Sequence, residues 1–160
     1  MNNTEIRFAN EQDVALILEF IKDLAEYEKM SDMVVADEDL LREWIFEKKK
    51  AEVIFALEGG KEVGFALFFH NFSTFLGRSG IYLEDLYVKP DYRGHGHGKA
   101  LIKKLAAIAC DRDCGRLEWS CLDWNKPSID FYLSLGAQQM SEWTVYRFEG
   151  ESLASLAQKE

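Results

Sequence analysis

The sequence predicts one α/β domain, on three observations. Segments with the alternation of a strand and segments with the spacing of a helix succeed one another along the chain. The length of 160 residues is that of one ordinary domain. No repeat, linker or low-complexity stretch interrupts the pattern, and only two prolines occur. We therefore expect a single domain, residues 1–160, with one functional site.

The first half of the chain predicts a strand, two helices and three more strands. The first strand is the alternating run 4–8, after which Asn10 caps a helix with apolar residues at helical spacing. A second helix begins near Asp37. The three strands that follow are the runs 52–58, 62–72 and 79–88, the first two joined at Gly59 and Gly60 as a tight hairpin.

The second half predicts helices and strands in alternation after a glycine-rich turn. Pro127 suits the first turn of a helix over 126–136, and Gly136 suits its C-terminal cap. The predicted elements are a helix over 98–111, a strand over 116–122, a helix over 126–136, a strand over 143–149 and a short terminal helix.

The composition excludes some functions. The net charge of −9 disfavours a nucleic-acid partner, because such binding relies on Lys and Arg, and it suits a cationic partner better. No apolar run is long enough to cross a bilayer, and the first residues do not resemble a signal peptide, so we expect a cytoplasmic protein without a membrane partner. The three cysteines lack the spacing of a zinc site, and we expect reduced thiols.

The stretch RGHGHGK, residues 93–99, predicts an anion site at the start of a helix. A Walker A loop needs Ser or Thr after Gly-Lys, whereas Ala100 follows here, and the glycine spacing also fails the GxGxxG dinucleotide pattern. What remains is a strand–loop–helix turn whose backbone N–H groups point at an anion, with the helix dipole adding attraction. We expect the two histidines of this loop to face solvent or the ligand, and no metal to bind there.

Three segments together resemble the GCN5-related N-acetyltransferases (GNAT), in the branch of the spermidine/spermine and thialysine enzymes. They are LAEYE (24–28), YLEDLYVKPDYRGHGHG (82–98) and WNKPSIDFYLSLGA (124–137). The resemblance implies an α/β (α+β) fold with a mixed, mostly antiparallel, twisted sheet of six to seven strands. It also implies four main helices and a sheet that splays between strands four and five.

The resemblance further implies acetyl-CoA as co-substrate. The strand end would run beside the pantetheine arm, the glycine loop would hold the pyrophosphate, and a later helix start would supply a second contact. The residues implied for the cofactor are Leu86, Tyr87, Val88, Arg93, Gly94, His95, Gly96, His97, Gly98, Lys99, Asn125, Lys126, Pro127, Ser128 and Tyr132.

For catalysis the resemblance implies Tyr132 as the acid that protonates the leaving thiolate, and Glu84 as the group that helps remove a proton from the amine. Glu84 lies in an otherwise apolar run, where an ionised carboxylate needs a partner, while Asp85 would face solvent. The residues implied for the amine are Tyr27, Glu28, Glu84 and Glu142.

The expected activity is acetyl transfer to a primary amine of a small cationic substrate, either a polyamine or diamine, or a thialysine-like amino acid. Two alternatives stay open: acetylation of a protein lysine or N-terminus, and a non-catalytic acyl-CoA sensor. Relatives in this branch are commonly dimers, and 13% aromatic residues leave apolar surface for a second copy, so we expect a homodimer.

Overall fold

The computed structural model describes residues 4–159 and contains a mixed sheet with five α-helices. The described chain forms two compact units, one ending at Ser120 and one beginning at Cys121. That the two units make up one functional domain stays a prediction. No helix within residues 4–159 has both the length and the apolar character needed to span a membrane.

The first unit holds the whole sheet. Its strands are β1 (Glu5–Phe8), β2 (Glu52–Glu58), β3 (Lys61–Ser73), β4 (Arg78–Val88) and β5 (Leu117–Trp119), in that spatial order. Neighbours pair antiparallel except β4 and β5, which are parallel. The predicted hairpin is confirmed, since Gly59 and Gly60 join β2 to β3 with positive φ angles of 58° and 77°.

Helices cover both faces of this sheet. They are α1 (Val14–Tyr27), α2 (Glu38–Leu41, continued as a π-helix over Arg42–Glu47) and α3 (His97–Asp111). Val53, Phe55 and Leu57 of β2 join a core cluster with α1, while the intervening Ile54 and Ala56 are also fully buried. Alternate residues of β2 are thus buried on opposite faces, as expected for a central strand between helical layers.

The cap residues that the sequence indicates lie at the helix starts. The side chain of Asn10 accepts a hydrogen bond from the backbone of Gln12, and Asp13 closes a capping box, so that a short 3₁₀ turn leads into α1. Asp37 accepts from the backbone N–H of Leu40 at 2.8 Å and begins α2.

The second unit contains two helices, α4 (Lys126–Ser134) and α5 (Gly150–Gln158). Gly136 follows α4 with φ 91°, the left-handed conformation that suits a helix end. The predicted strand over 143–149 is wrong: this segment forms no strand, and the side chains of Trp143, Val145 and Tyr146 are exposed.

The predicted strand count of six to seven therefore becomes five. A strand needs a hydrogen-bonding partner, which the local sequence of 143–149 cannot supply. The predicted strand over 116–122 is also shorter, because only Leu117–Trp119 pairs with β4. The mixed, mostly antiparallel sheet itself is confirmed.

Candidate active site

The glycine loop between β4 and α3 has the backbone geometry of an anion site. Gly94 and Gly96 have positive φ angles of 80° and 88°, and Gly96 is the N-cap of α3. Because glycine has no side chain, the first N–H groups of this 15-residue helix receive no side-chain cap. These groups and the helix dipole suit a phosphate, so the loop fits the pyrophosphate of acetyl-CoA.

Lysines of α3 add positive charge beside the loop. Lys99, Lys103 and Lys104 line an open depression together with Gly96, and β1 forms its other side through Ile6. These three lysines lie on α3, close to the loop. Their charge favours an anionic ligand at this end of α3.

Arg93 joins the loop to two other elements. Its Nε donates a hydrogen bond of 2.9 Å to the carbonyl oxygen of Val88, at the end of β4. Its guanidinium carbon lies 5.1 Å from the ring centre of Tyr27 and 5.2 Å from that of Tyr87. These cation–π contacts position the loop against α1 and β4, while a direct phosphate contact by Arg93 stays a prediction.

The end of β4 has a free edge on the side of β5. The pairing with β5 covers only Ile81–Leu83, and no described strand pairs with Leu86, Tyr87 or Val88 on that side. Backbone groups at a strand edge that face no neighbouring strand can bind an extended ligand that carries amides, although the Val88 carbonyl already accepts from Arg93. The predicted contact of these residues with the pantetheine arm therefore fits the structure.

Asp85, and not Glu84, is the desolvated carboxylate of β4. In the register with β3, Leu67 lies opposite Asp85 and Phe68 lies opposite Leu83. Glu84 is left without a partner residue on β3 and forms a β-bulge. The expectation that Glu84 is buried is wrong, because its side chain is exposed. Asp85 is half-buried, and burial, followed by the charges of Glu84 and Glu28, raises its pKa to about 7.

Glu28 and Tyr27 lie at the C-terminal end of α1, near the same part of β4. Burial raises the pKa of the Glu28 carboxyl, and its charge contributes to the raised pKa of Asp85. The Tyr27 ring lies 6.4 Å from the ring of Tyr87, two residues after Asp85. The structure thus brings Tyr27 and Glu28, both predicted to bind the amine, close to Asp85, which was expected to face solvent.

The remaining predicted residues belong to the second unit. The Asn125 side chain accepts from the backbone N–H of Ser128 at 3.4 Å and caps α4. Tyr132 is half-buried on α4, with its ring 5.5 Å from that of Phe131. Glu142 is exposed, and its role in amine binding stays a prediction.

The two loop histidines contact a carboxylate that is distant from them in the sequence. His95 and His97 both lie within hydrogen-bond distance of Glu58, at the end of β2. The expectation that both imidazoles face solvent or the ligand is wrong for His97, which is 2% exposed. Glu58 is 37 residues before His95 in the chain, and no local pattern could reveal the contact.

We expect Gly96→Val to raise the dissociation constant of acetyl-CoA at least tenfold, as measured by isothermal titration calorimetry. An L-residue is strained at a φ of 88°, although its Cβ would meet no atom within 4 Å. The variant should therefore distort the N-cap that presents the backbone N–H groups to the anion.

Gly77→Val is the matched control, since Gly77 also has a positive φ and open space but lies in the β3–β4 turn. The Gly77 variant should introduce similar backbone strain and leave the affinity for acetyl-CoA unchanged. Equal affinity in the Gly96 and Gly77 variants would contradict the assignment of the loop.

A family model, two curated relatives and a solved structure are similar to this chain. The model of the acetyltransferase (GNAT) family matches residues 17–137. Thialysine N-ε-acetyltransferases from Bos taurus and Sus scrofa are 45% and 43% identical, over 96% and 99% of this chain and 97% and 100% of theirs. A solved integron cassette protein from the mobile metagenome of V. cholerae aligns with a TM-score of 0.82 and 33% identity, over 99% of this chain and all of that one.

Proposed function

Because the chain belongs to the acetyltransferase (GNAT) family, we propose that it transfers an acetyl group from acetyl-CoA to the side-chain amine of a lysine-like amino acid such as thialysine. The observation that carries the proposal is the pair of desolvated carboxylates, Asp85 and Glu28, beside the free edge of β4. A cationic amine compensates such carboxylates, and a carboxylate with a pKa near neutrality can take its proton.

The choice of a lysine-like amino acid over a polyamine is supported by the relatives. Two thialysine N-ε-acetyltransferases match this chain over nearly its whole length, including the segments that carry Glu28, Asp85 and Tyr132. The two carboxylates by themselves fit any small amine with more than one positive charge. Polyamine acetylation is therefore the competing outcome of the experiments below.

Each proposed residue has one chemical task. Acetyl-CoA supplies the acetyl thioester, held by the glycine loop and by the backbone of Leu86–Val88. Asp85 accepts the proton that the substrate ammonium must lose before its nitrogen can form the new amide bond. Tyr132 gives the proton of its hydroxyl to the departing sulfur, which would otherwise leave as a thiolate. Glu28 attracts the positive charge of the substrate.

A panel of amines tests this function. We expect acetyl-CoA-dependent release of free thiol with thialysine, lysine and ornithine, with the highest kcat/KM for thialysine. Spermidine, putrescine, a monoamine and a lysine-containing peptide are the comparison substrates. A peptide that outperforms every small amine would favour protein acetylation, and binding of acetyl-CoA without turnover of any amine would favour a sensor.

We further propose that the protein is a homodimer. The support is the exposed apolar segment 143–149, in which Trp143, Val145, Tyr146 and Phe148 are each at least 60% exposed. Burying such side chains against a second copy stabilises an assembly, and a monomer rarely leaves so many apolar side chains exposed next to one another.

Light scattering on the purified chain should give twice the mass of one chain, 18.4 kDa. The double variant Val145→Asp and Phe148→Asp should give the mass of a monomer, because an aspartate cannot be buried unpaired at an interface. Gln139→Asp, at an exposed polar residue outside this segment, is the control and should remain dimeric. A monomeric wild-type chain would contradict the proposal.

A further inference from the structure

Three side chains from separate parts of the chain meet beside the anion loop. Glu58 Oε1 lies 2.8 Å from Nδ1 of His95 and 3.0 Å from Nε2 of His97. Glu58 ends β2, His95 lies in the loop, and His97 begins α3. One ligand atom from each residue lies within 4.8 Å of the other two. No part of the proposed acetyl transfer uses these side chains.

The environment of His97 orients its ring for coordination. Its side chain is 2% exposed, and its Nδ1 lies 3.0 Å from Thr4 Oγ1. A proton on Nε2 makes the 3.0 Å contact with Glu58 a hydrogen bond. Binding of an ion requires the other tautomer, in which Nδ1 donates to Thr4 Oγ1 and Nε2 presents its lone pair to the ion. A second hydrogen bond of this kind, which fixes the tautomer and orientation of the ring, is typical of histidines that ligate a metal.

The donor set selects a class of ion. Two imidazole nitrogens and one carboxylate oxygen suit Zn²⁺ and its neighbours among the first-row divalent ions, whereas Mg²⁺ and Ca²⁺ prefer oxygen ligands. Metal–ligand bonds of about 2.0–2.1 Å in a tetrahedral site place the donors about 3.3 Å apart. The two separations from Glu58, 2.8 and 3.0 Å, would each widen by only a few tenths of an ångström, and the ligand atoms of the two histidines lie within 4.8 Å of each other.

We propose that Glu58, His95 and His97 form a binding site for a divalent transition-metal ion such as Zn²⁺, in contrast to the expectation from the loop sequence that no metal binds there. The site would have three protein ligands and an open fourth position. Because His95 and His97 flank Gly96, the ion would hold the N-cap of α3 through side chains and leave the backbone N–H groups to the anion. The ion is assigned no step in acetyl transfer, so the proposal stands apart from the proposed function.

Metal titration of chelator-treated protein without a histidine tag tests the site. We expect one equivalent of Zn²⁺ to bind by calorimetry, and Co²⁺ to compete for the same site with visible absorption typical of a four-coordinate ion. Thiolate-to-cobalt charge transfer should be absent, which excludes ligation by the thiols of Cys110, Cys114 and Cys121. Mg²⁺ should not compete.

Variants locate the ion within the chain. Glu58→Gln and His95→Gln should each weaken Zn²⁺ binding at least tenfold, since each removes one of three ligands. Both side chains are more than one third exposed, so both variants should fold, with circular dichroism as the check. Thr4→Val should weaken binding by about 10–100-fold, as expected for the loss of a partner that orients a ligand.

The third histidine provides the matched control. His70 lies 3.3 Å from Arg112, away from Glu58, and His70→Gln should keep the wild-type affinity for Zn²⁺. Absence of stoichiometric Zn²⁺ and Co²⁺ binding would overturn the proposal and leave the cluster as hydrogen bonds between two imidazoles and a carboxylate. Binding that survives in both the Glu58 and His95 variants would overturn it as well.

Discussion

Tyr132→Phe is expected to lower kcat about 100-fold and to leave the dissociation constant of acetyl-CoA unchanged. The substitution keeps the ring that packs beside Phe131 and removes only the hydroxyl. Loss of a general acid typically costs 10²–10⁴ in rate, and the low end applies because water can supply the proton in its place. Steady-state kinetics with thialysine, paired with calorimetry for acetyl-CoA, measures both quantities.

Tyr146→Phe is the matched control for this variant. Tyr146 belongs to the same unit and is 91% exposed, so loss of its hydroxyl should leave kcat within experimental error of the wild type. If Tyr132→Phe also turned over at the wild-type rate, Tyr132 would have no place in the mechanism.

Asp85→Asn is expected to lower kcat/KM at pH 8 by about 100-fold and to abolish a rise in kcat/KM near pH 7. Asp85 accepts a proton only when it is ionised, and burial together with the charges of Glu84 and Glu28 raises its pKa to about 7. Activity of the wild-type enzyme should therefore increase as the pH rises through 7 and then level off. The asparagine variant keeps the shape of the side chain but cannot ionise.

Glu84→Gln distinguishes the two neighbouring carboxylates of β4. Glu84 is the exposed bulge residue, so its variant should keep the rise in kcat/KM with pH and most of the activity. Removing its charge should move the midpoint of that rise to a slightly lower pH, because Glu84 contributes to the raised pKa of Asp85. The role predicted for Glu84 from the sequence stays a prediction, and loss of the pH-dependent rise only in Glu84→Gln would support it over the role proposed for Asp85.

The sequence predicted the elements that depend on local physics. Helical spacing of apolar residues and capping by Asn10 and Asp37 specify helices within a few residues of their observed starts. Gly59-Gly60 specifies a tight turn because both residues adopt positive φ, which joins β2 to β3 in register. These features need no information about distant parts of the chain.

The features that the sequence did not predict depend on distant partners. Residues 143–149 have a composition that favours strands but form no strand, since backbone pairing must come from elsewhere. The bulge at Glu84 is visible only in the register with β3. Beyond the bulge, Asp85 lies on the same face of β4 as Tyr87, which packs in the core cluster around α1. The HGH pattern suggests neither Glu58 nor Thr4, which meet it only after folding.

A competition between two amines tests the central claim most directly. Equimolar thialysine and spermidine, in excess over acetyl-CoA in one reaction, yield products in the ratio of their kcat/KM values, and mass spectrometry identifies each product and its acetylated nitrogen. We expect thialysine acetylated at its side-chain amine to exceed acetylspermidine at least tenfold. Acetylspermidine as the main product, or acetylation of thialysine at its α-amine, would contradict the proposed function.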